Sequence, residues 1–335
     1  MIGTADGVHV SITGLGCHVP ERVVTNEELA QLVDTSDEWI TTRTGIKERR
    51  FAADDEALSD IALPAARAAL EQAGISGGDV DLLIVATVTP DMMFPSTAAI
   101  MADQLGAGEA GAYDLSAGCT GFMYGLVQAY GLVSSGLSKH ALVVGADVLS
   151  KLMNFADRST CVLFGDGAGA AVIEPVESGG FLAFELGADG AGGVDLTLPA
   201  GGSRIPTTAE SVARGDHYVH MNGRQVFKFA TRVLVSSAEH VLEQAGLSIE
   251  DVDVYVPHQA NVRIIDHAVA KLGISEDRVV VNVDRYGNTS SASIPMALAD
   301  ALAEGRVHEG DTVLMTGMGA GLTWGSAVMN WTEES

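Results

Sequence analysis

Apolar residues recur along the chain at two periods, which predict helices alternating with strands. A helical period from Phe122 to Val133 predicts a helix over residues 122–134 that is apolar on nearly every face. Short apolar runs such as Leu82–Ala86 and Ala141–Val144 predict buried strands. Because a helix without a polar face is typical of the middle of a large domain, residues 122–134 are expected at the centre of the fold.

The pattern occurs twice along the chain. The stretch Leu70–Ser76, a helix end that precedes a buried strand, reappears as Leu242–Ser248, an offset of 242 − 70 = 172 residues. Each copy holds a glycine where the helix should end. Two similar halves are therefore predicted, residues 1–175 and residues 176–335. Helices that alternate with strands indicate an α/β fold with mostly parallel sheets.

The loop before the central helix reads D-L-S-A-G-C-T-G and holds Cys119 among very small residues. The N-terminus of a helix favours a thiolate, so this position predicts a lowered thiol pKa. An inert core cysteine is the alternative. The 172-residue offset carries Cys119 onto Ser291, three residues from Asn288, and carries Ala86 onto His258. If a pseudo-twofold axis relates the halves, Cys119 should meet His258 and Asn288 over one site.

Composition narrows the setting. The 335 residues carry a net charge of −25, which argues against general nucleic-acid binding. Three scattered cysteines predict a protein of the reducing cytosol, and neither a secretory leader nor a membrane span is predicted. The basic residues form two groups, which indicate either a docking patch for an anionic partner or solvated helix faces. The groups are Arg43, Lys47, Arg49 and Arg50, and then Arg224, Lys228, Arg232, Arg263, Lys271 and Arg278.

Three other motifs were weighed for ligand binding. Trp39 and Arg43 would share a helix face that could hold a flat anionic ligand such as a nucleotide, or could simply be a half-buried surface pair. A G-x-G-x-x-A pattern at 165–170 resembles a dinucleotide fingerprint, but strands are predicted on both sides of it (161–164 and 170–173) rather than a following helix. His217 and His220 lack a third ligand nearby, so no metal site is predicted.

Seven motifs then agree, in order, with one known family. They are D-E-W-I-T-T-R-T-G-I at 37–46, F-P-S at 94–96, S-A-G-C-T-G-F at 116–122, F-G-D-G-A-G-A at 164–170, P-H-Q-A-N at 257–261, G-N-T-S at 287–290 and G-A-G-L-T-W-G at 319–325. On these motifs the chain resembles β-ketoacyl-[acyl-carrier-protein] synthase III, a member of the thiolase-fold superfamily, from Gly14 to Trp331. The resemblance implies two pseudo-symmetric α/β halves in a five-layered αβαβα architecture.

The resemblance also implies a reaction. An acyl-CoA primer, acetyl or short and branched, would acylate Cys119, and malonyl-acyl carrier protein would then lose CO₂ and condense with it to start fatty-acid synthesis. CoA is part of a substrate, so no cofactor and no metal are implied. The partners implied are acyl-CoA, malonyl-acyl carrier protein and a second copy in a homodimer, without nucleic acid or membrane.

Site residues follow from the same resemblance. The catalytic residues would be Cys119, His258 and Asn288, with the oxyanion bound by the backbone N–H groups of Cys119 and Ala320. CoA would contact Thr35, Trp39, Arg43, Arg158 and Asn261, with the adenine between Trp39 and Arg158. The acyl pocket would be formed by Phe94 (reaching into the partner subunit), Leu149, Phe164 and Val219. Carrier protein would bind Arg224, Lys228, Gln259, Arg263 and Lys271.

The chain departs from the family pattern at two positions. Ser159 and Ala320 stand where glycine is common, which affects the fit of adenine and, if a positive φ were required, the oxyanion loop.

Several alternatives stay open from the sequence. A degradative thiolase would need a second late cysteine, and no cysteine follows Cys161. An elongating condensing enzyme would have a second histidine in place of Asn288. A related synthase of secondary metabolism with the same three residues is the main alternative. A catalytically silent carrier-protein-binding subunit and an NAD enzyme fit less well.

Overall fold

The computed structural model describes residues 8–332. The strands are β1 His9–His18, β2 Arg22–Thr25, β3 Glu48–Phe51, β4 Leu82–Ala86, β5 Gly111–Leu115, β6 Ala141–Asp147, β7 Gly167–Val176, β8 Gly180–Ala188, β9 Leu196–Thr197, β10 His220–Met221, β11 Val254–Pro257, β12 Thr312–Gly319 and β13 Thr323–Asn330. The helices are α1 Asn26–Leu29, α2 Asp37–Thr44, α3 Leu58–Gln72, α4 Thr97–Leu105, α5 Gly121–Ser134, α6 Ala209–Ala213, α7 Gly223–Ala245, α8 Val262–Leu272, α9 Val283–Tyr286 and α10 Ser293–Ala303.

Two mixed sheets form the framework. The first has the strand order β1-β7-β6-β4-β5 and the second has the order β11-β12-β13-β8. Strands β4, β5 and β6 are parallel, as are β11 and β12, whereas β7 and β13 run antiparallel to both neighbours. The prediction of mostly parallel sheets is therefore wrong. Parallel pairing needs a crossover such as a helix, but only residues 320–322 separate β12 from β13.

The helices form three layers around these sheets. Helices α5 and α10 lie between the two sheets, α3 and α4 cover the outer face of the first, and α7 and α8 cover the second. This is the five-layered αβαβα arrangement expected, with α5 at its centre as its apolar pattern predicted. No helix within residues 8–332 is both long and apolar enough to cross a membrane.

The internal repeat is visible in the elements. Strands β4 and β11 begin at Leu82 and Val254, and helices α5 and α10 begin at Gly121 and Ser293, so both pairs differ by 172 residues (254 − 82 and 293 − 121). The predicted division between residues 175 and 176 falls at the end of β7.

The glycine-rich segment around residue 165 is not a dinucleotide site. Residues 161–163 form turns rather than the predicted strand, with the Leu163 N–H donating to Thr160 O at 3.0 Å. Phe164 makes a single bridge to Asn288, and the following glycines open strand β7. Because no helix N-terminus faces this loop, the phosphate-binding context is missing.

Candidate active site

Cys119 lies in a single 3-10 turn, Gly118–Thr120, which leads directly into α5. The thiol is buried, and the loop after β12 packs against it. Gly118 has φ +57°, and a Cβ on it would come within 2.8 Å of the Ala320 nitrogen. A Cβ on Gly319 would come within 2.6 Å of the Cys119 nitrogen. Small residues are therefore required on both sides, because the two backbones that carry the predicted oxyanion donors nearly touch.

Burial decides the protonation of this thiol. Desolvation raises the pKa of Cys119 to about 11, although hydrogen bonding from Ser290 and from the backbone N–H groups of Cys119 and Ala320 opposes the shift. The prediction of a lowered pKa is wrong, since removal from water outweighs the helix N-terminus. Cys119 is a protonated thiol at neutral pH, so acylation requires a route by which its proton leaves.

His258 follows β11 and is buried. Its backbone N–H donates to Thr316 O at 2.8 Å, and its Nδ1 forms a short hydrogen bond with the Ser293 hydroxyl. Nε2 is thus the ring nitrogen available to a ligand. Burial lowers the pKa of His258 to about 4, so the imidazole is neutral at pH 7.

Asn288 is fixed on three sides. Its backbone N–H donates to Leu163 O at 2.8 Å, its backbone carbonyl accepts from Gly165, and its side-chain Oδ1 accepts the N–H of Ser290 at 2.8 Å. With the oxygen occupied, the Nδ2 amino group is available as a hydrogen-bond donor. The structure brings the three predicted residues together, because Cys119, His258 and Asn288 line one cavity.

Two cavities meet at Cys119. The first, of about 170 Å³, is lined by Val88, Gly118, Cys119, Leu149, Leu152, Phe164, Leu196, Thr197, Leu198, Val219, Ser290 and Ala320. The second, of about 90 Å³, contains the triad and is lined further by residues of α7 and α8. Leu149, Phe164 and Val219 were predicted as acyl-pocket residues, and they line the first cavity beside the thiol. Phe94 does not, because its side chain is 84% exposed on the surface of the chain.

Part of this wall was missed by the sequence reasoning. Leu196 lines both cavities and belongs to β9, which pairs with β10 through Leu196–Met221 and Thr197–His220. This two-stranded ribbon lies in the glycine-rich stretch interpreted as a surface excursion. A two-residue strand leaves no periodic pattern, so the sequence carried no signal for it.

Trp39 lies on α2 between two guanidinium groups. The Arg43 Cζ atom is 4.6 Å from the indole centroid, as their shared helix face predicted, and the Arg158 Cζ atom is 5.1 Å from it. An adenine between Trp39 and Arg158 would need about 7 Å, twice the contact distance of carbon atoms. Arg158, which donates to Asp34 O at 2.8 Å, must therefore move outward by about 2 Å for the predicted stacking.

The other two predicted CoA contacts lie near this helix. Asn261 caps α8 with its side-chain oxygen and donates from Nδ2 to the Arg43 carbonyl at 3.1 Å. It also lines the cavity that contains the triad. Thr35 is half-buried, and its Oγ1 has no hydrogen-bond partner among the described residues. Asn261 thus joins the Trp39 surface to the cavity.

The predicted carrier-protein residues do not all reach the surface. Arg224 and Lys228 on α7 and Arg263 and Lys271 on α8 are exposed, and within residues 8–332 none of the four is paired with a carboxylate. Gln259 is 1% exposed, which contradicts its predicted role. Its amide donates to the Pro257 and Val280 carbonyls and accepts from the Asn282 and Val283 N–H groups, so its function is to hold the loop after His258 in place.

The departures at Ala320 and Ser159 are both accommodated. Ala320 has a negative φ, since Ser290 is the non-glycine residue with positive φ in the described part of the chain. An alanine therefore meets no strain there, and its N–H is retained. Ser159 donates from Oγ to Asp157 Oδ1 at 2.7 Å and so closes a local turn beside Arg158.

Comparisons with known proteins agree with this geometry. Two family models match the chain, 3-oxoacyl-[acyl-carrier-protein (ACP)] synthase III over residues 113–190 and its C-terminal model over residues 242–331. The β-ketoacyl-[acyl-carrier-protein] synthase III of Symbiobacterium thermophilum is 59% identical over 96% of this chain and 98% of its own length.

Solved structures give the same result. The 3-oxoacyl-[acyl-carrier-protein] synthase III of Aquifex aeolicus is 45% identical, with a TM-score of 0.89 over 97% of this chain and 100% of that one. The priming β-ketosynthase of the R1128 polyketide pathway has a TM-score of 0.90 over 98% of this chain and 97% of that one, but is only 38% identical, so the secondary-metabolism alternative is not favoured. The chain belongs to the β-ketoacyl-[acyl-carrier-protein] synthase III family, the thiolase-fold condensing enzymes.

Proposed function

We propose that this protein is an acyltransferase that starts fatty-acid synthesis by condensing an acyl-CoA primer with malonyl-acyl carrier protein. The observation that carries the proposal is the cavity in which Cys119, His258 and Asn288 meet at the junction of the two halves. A buried thiol supplies the nucleophile, and two neutral donors supply hydrogen bonds to a developing enolate. The reaction needs no cofactor, since CoA enters and leaves as part of a substrate.

In the first step, the Cys119 sulfur attacks the thioester carbon of acyl-CoA. The N–H groups of Cys119 and Ala320, which lie beside the sulfur, bind the oxyanion of the tetrahedral intermediate. The carbon–sulfur bond to CoA then breaks, leaving acyl-Cys119. The thiol proton and the CoA thiolate leave together as free CoA thiol.

In the second step, malonyl-acyl carrier protein occupies the same cavity. Its thioester oxygen accepts hydrogen bonds from Asn288 Nδ2 and from His258 Nε2–H, and loss of CO₂ transfers charge to that oxygen. The Ser293 hydroxyl, by donating to Nδ1, favours the tautomer with its proton on Nε2. The resulting carbanion attacks acyl-Cys119, releasing β-ketoacyl-carrier protein and the Cys119 thiolate, which regains a proton.

Cavity size limits the primer. The cavity of about 170 Å³ beside Cys119 is lined mainly by apolar side chains. An apolar cavity of about 150 Å³ accommodates benzene, a six-carbon ligand. An acetyl group or a short branched acyl group therefore fits, whereas a long straight chain does not.

The exposed segment before α4 supports a homodimer. Met93 and Phe94 are 78% and 84% exposed, and a shallow cavity that includes Met92 and Met93 shares Val88, Leu152 and Leu198 with the acyl pocket. We expect the partner subunit to cover this segment and Phe94 to help close the partner's pocket, in the cytoplasm where CoA and carrier-protein substrates occur. Sedimentation of the wild-type protein as a monomer would contradict this expectation.

Intact-protein mass spectrometry after mixing with a panel of acyl-CoAs tests the function. A single acyl adduct is expected on the wild-type protein and none on Cys119→Ala. Addition of malonyl-acyl carrier protein should remove the adduct and yield the β-ketoacyl product. If no acyl-CoA labels Cys119, the proposed function is wrong.

A further inference from the structure

Ser290 has an unusual backbone at the bottom of the acyl cavity. It is 1% exposed and has φ +53°, a conformation that costs of order 1–3 kcal/mol in a residue other than glycine. Its N–H holds the Asn288 side chain, and its side chain lines the cavity together with Cys119. Strained residues that persist in folded proteins cluster at functional sites, so its hydroxyl requires an explanation.

Asp147 is a buried carboxylate that the two proposed steps do not use. At the end of β6 it is fully inaccessible, and hydroxyl and N–H groups surround it instead of a cation. It accepts from the Thr87 hydroxyl at 2.9 Å, the Val88 N–H at 2.8 Å, the Thr89 hydroxyl at 3.0 Å and the Ser291 hydroxyl at 2.9 Å. Burial is the main reason that its pKa is raised, so Asp147 has an increased tendency to accept a proton.

The Ser290 hydroxyl connects these two groups. It lies within hydrogen-bonding reach of both the Cys119 thiol and the Asp147 carboxylate, since it lowers the pKa of each. The backbone there is pinned, because the neighbouring Ser291 donates its hydroxyl to Ala86 O at 2.7 Å as well as to Asp147. A hydroxyl between a donor and an acceptor can pass a proton on while keeping its own valence.

We propose that Ser290 relays the Cys119 thiol proton to the Asp147 carboxylate during acyl transfer. As the sulfur–carbon bond forms, the S–H proton moves to Ser290 Oγ and the Ser290 proton moves to Asp147. The departing CoA thiolate takes up one proton when the relay runs backwards, so the net reaction is Cys119–SH plus acyl-S-CoA giving acyl-Cys119 plus CoA–SH. Ser290 touches the reacting sulfur, and Asp147 acts through it.

The alternative acceptor in this cavity is His258. Its pKa of about 4, lowered by burial, makes it a weak base, and its Nδ1 is engaged by Ser293. Asp166 also lies near enough to Asp147 to be affected by its charge, but binds the Ser150 and Ala52 N–H groups instead of the thiol. Asp147 is thus the carboxylate that Ser290 links to Cys119.

The inference rests on the proposed acyl transfer, so it is tested by two rates measured on each full-length variant. One is alkylation of Cys119 by iodoacetamide as a function of pH, which needs no acyl-CoA. The other is the single-turnover rate of acyl-Cys119 formation. The variants are Asp147→Asn, Ser290→Ala and Ser290→Gly, of which the last also relieves the positive φ.

Asp147→Asn separates the two rates. Removal of a buried negative charge should lower the thiol pKa and shift alkylation to lower pH, whereas acylation should become at least tenfold slower because the proton acceptor is gone. A purely structural role would move both rates in the same direction. Acylation by Asp147→Asn at or above the wild-type rate would overturn the relay.

The serine variants keep the test decisive if Asp147→Asn fails to fold. Both should acylate at least tenfold more slowly, to a similar extent, because they share the loss of a hydroxyl and differ in backbone strain. Ser237→Ala, which removes a buried hydroxyl bonded to Ser326 in another part of the core, should acylate at the wild-type rate. Wild-type acylation by both Ser290 variants, or a loss with His258→Ala alone, would assign the proton to another route.

Failure of the proposed function gives a different result. In that case the wild-type protein would not be labelled by any acyl-CoA, while the pH profile of alkylation would still report whether Ser290 and Asp147 act on the thiol.

Discussion

At the scale of single residues, burial sets the charge of the groups around the cavity. Cys119 is held as a thiol and His258 as a neutral imidazole, because each would lose hydration on becoming charged. A neutral imidazole can donate from Nε2 without first losing a proton. The same burial links the protonation of His258 to the stability of the whole protein.

We predict that His258 makes the protein less stable in acid. Its pKa is about 4 when folded and near 6.5 when unfolded, so the unfolded chain binds more protons between these values. The stabilisation is complete above about pH 6.5 and is lost as the pH falls towards 4. Urea unfolding at pH 7 and pH 4.5 should show that this group accounts for about 2–3 kcal/mol of the change.

The matched control is His258→Asn at the same protein concentration. Asp166, whose pKa burial raises to about 6, contributes with the opposite sign, but it is present in both proteins and cancels in the comparison. If wild type and variant lose the same free energy of unfolding between the two pH values, His258 is not buried in its neutral form.

At the scale of elements, helix α2 forms a ligand-binding surface separate from the chemistry. Ser36 caps its N-terminus, accepting the Trp39 N–H at 3.1 Å, and Gly45 ends it with φ +79°. These two caps fix an eight-residue helix. They orient Trp39 and Arg43 on one face, where a base could stack without contacting Cys119.

We predict that Trp39→Ala weakens acyl-CoA binding and leaves chemistry intact. Stacking of a base on an aromatic ring is worth about 1–3 kcal/mol, so KM for acyl-CoA should rise about 5- to 100-fold with kcat nearly unchanged. An acyl thioester of N-acetylcysteamine lacks the nucleotide, and its kinetics should be the same in both proteins. Equal losses with both substrates would mean that Trp39 supports the fold rather than binding adenine.

Elements also show which parts of the site the sequence could reveal. The helix predicted over residues 122–134 is α5, Gly121–Ser134, because its apolar period is long. Strand β9 could not be predicted, since its two residues are held by distant partners such as the Asn222 N–H, which donates to Asp195 O at 2.7 Å. Ser290 was likewise hidden, because a positive φ and a buried carboxylate nearby arise only from tertiary packing.

At the scale of the whole molecule, the repeat explains why the triad could be found. Helices α5 and α10 begin 172 residues apart, so the turns before them, with Cys119 in one and Asn288 in the other, approach the same point from the two halves. The sequence offset alone was enough to pair these residues. The cavity walls could not be derived in this way, because they come from segments that the repeat does not duplicate.

Charge is distributed unevenly over the molecule. The net charge is −25, yet Arg224, Lys228 and Arg263 are exposed near the N-termini of α7 and α8, beside the cavity that contains the triad. Arg263 lies 5.7 Å from the ring of Phe227, which lines that cavity. An acidic carrier protein would be repelled by most of the surface and attracted to this part, which would guide its thioester to the entrance.

We therefore predict that Lys228→Glu with Arg263→Glu raises KM for malonyl-acyl carrier protein at least tenfold, while acyl-CoA labels Cys119 with the wild-type rate constant and final occupancy. Two charge reversals replace attraction by repulsion at the docking site, and raising the salt concentration should reduce the difference between wild type and variant. Arg67→Glu with Lys139→Glu makes the same change in net charge on the other half of the chain and should leave KM unchanged. If this control raises KM equally, net charge and not a local docking surface governs the encounter.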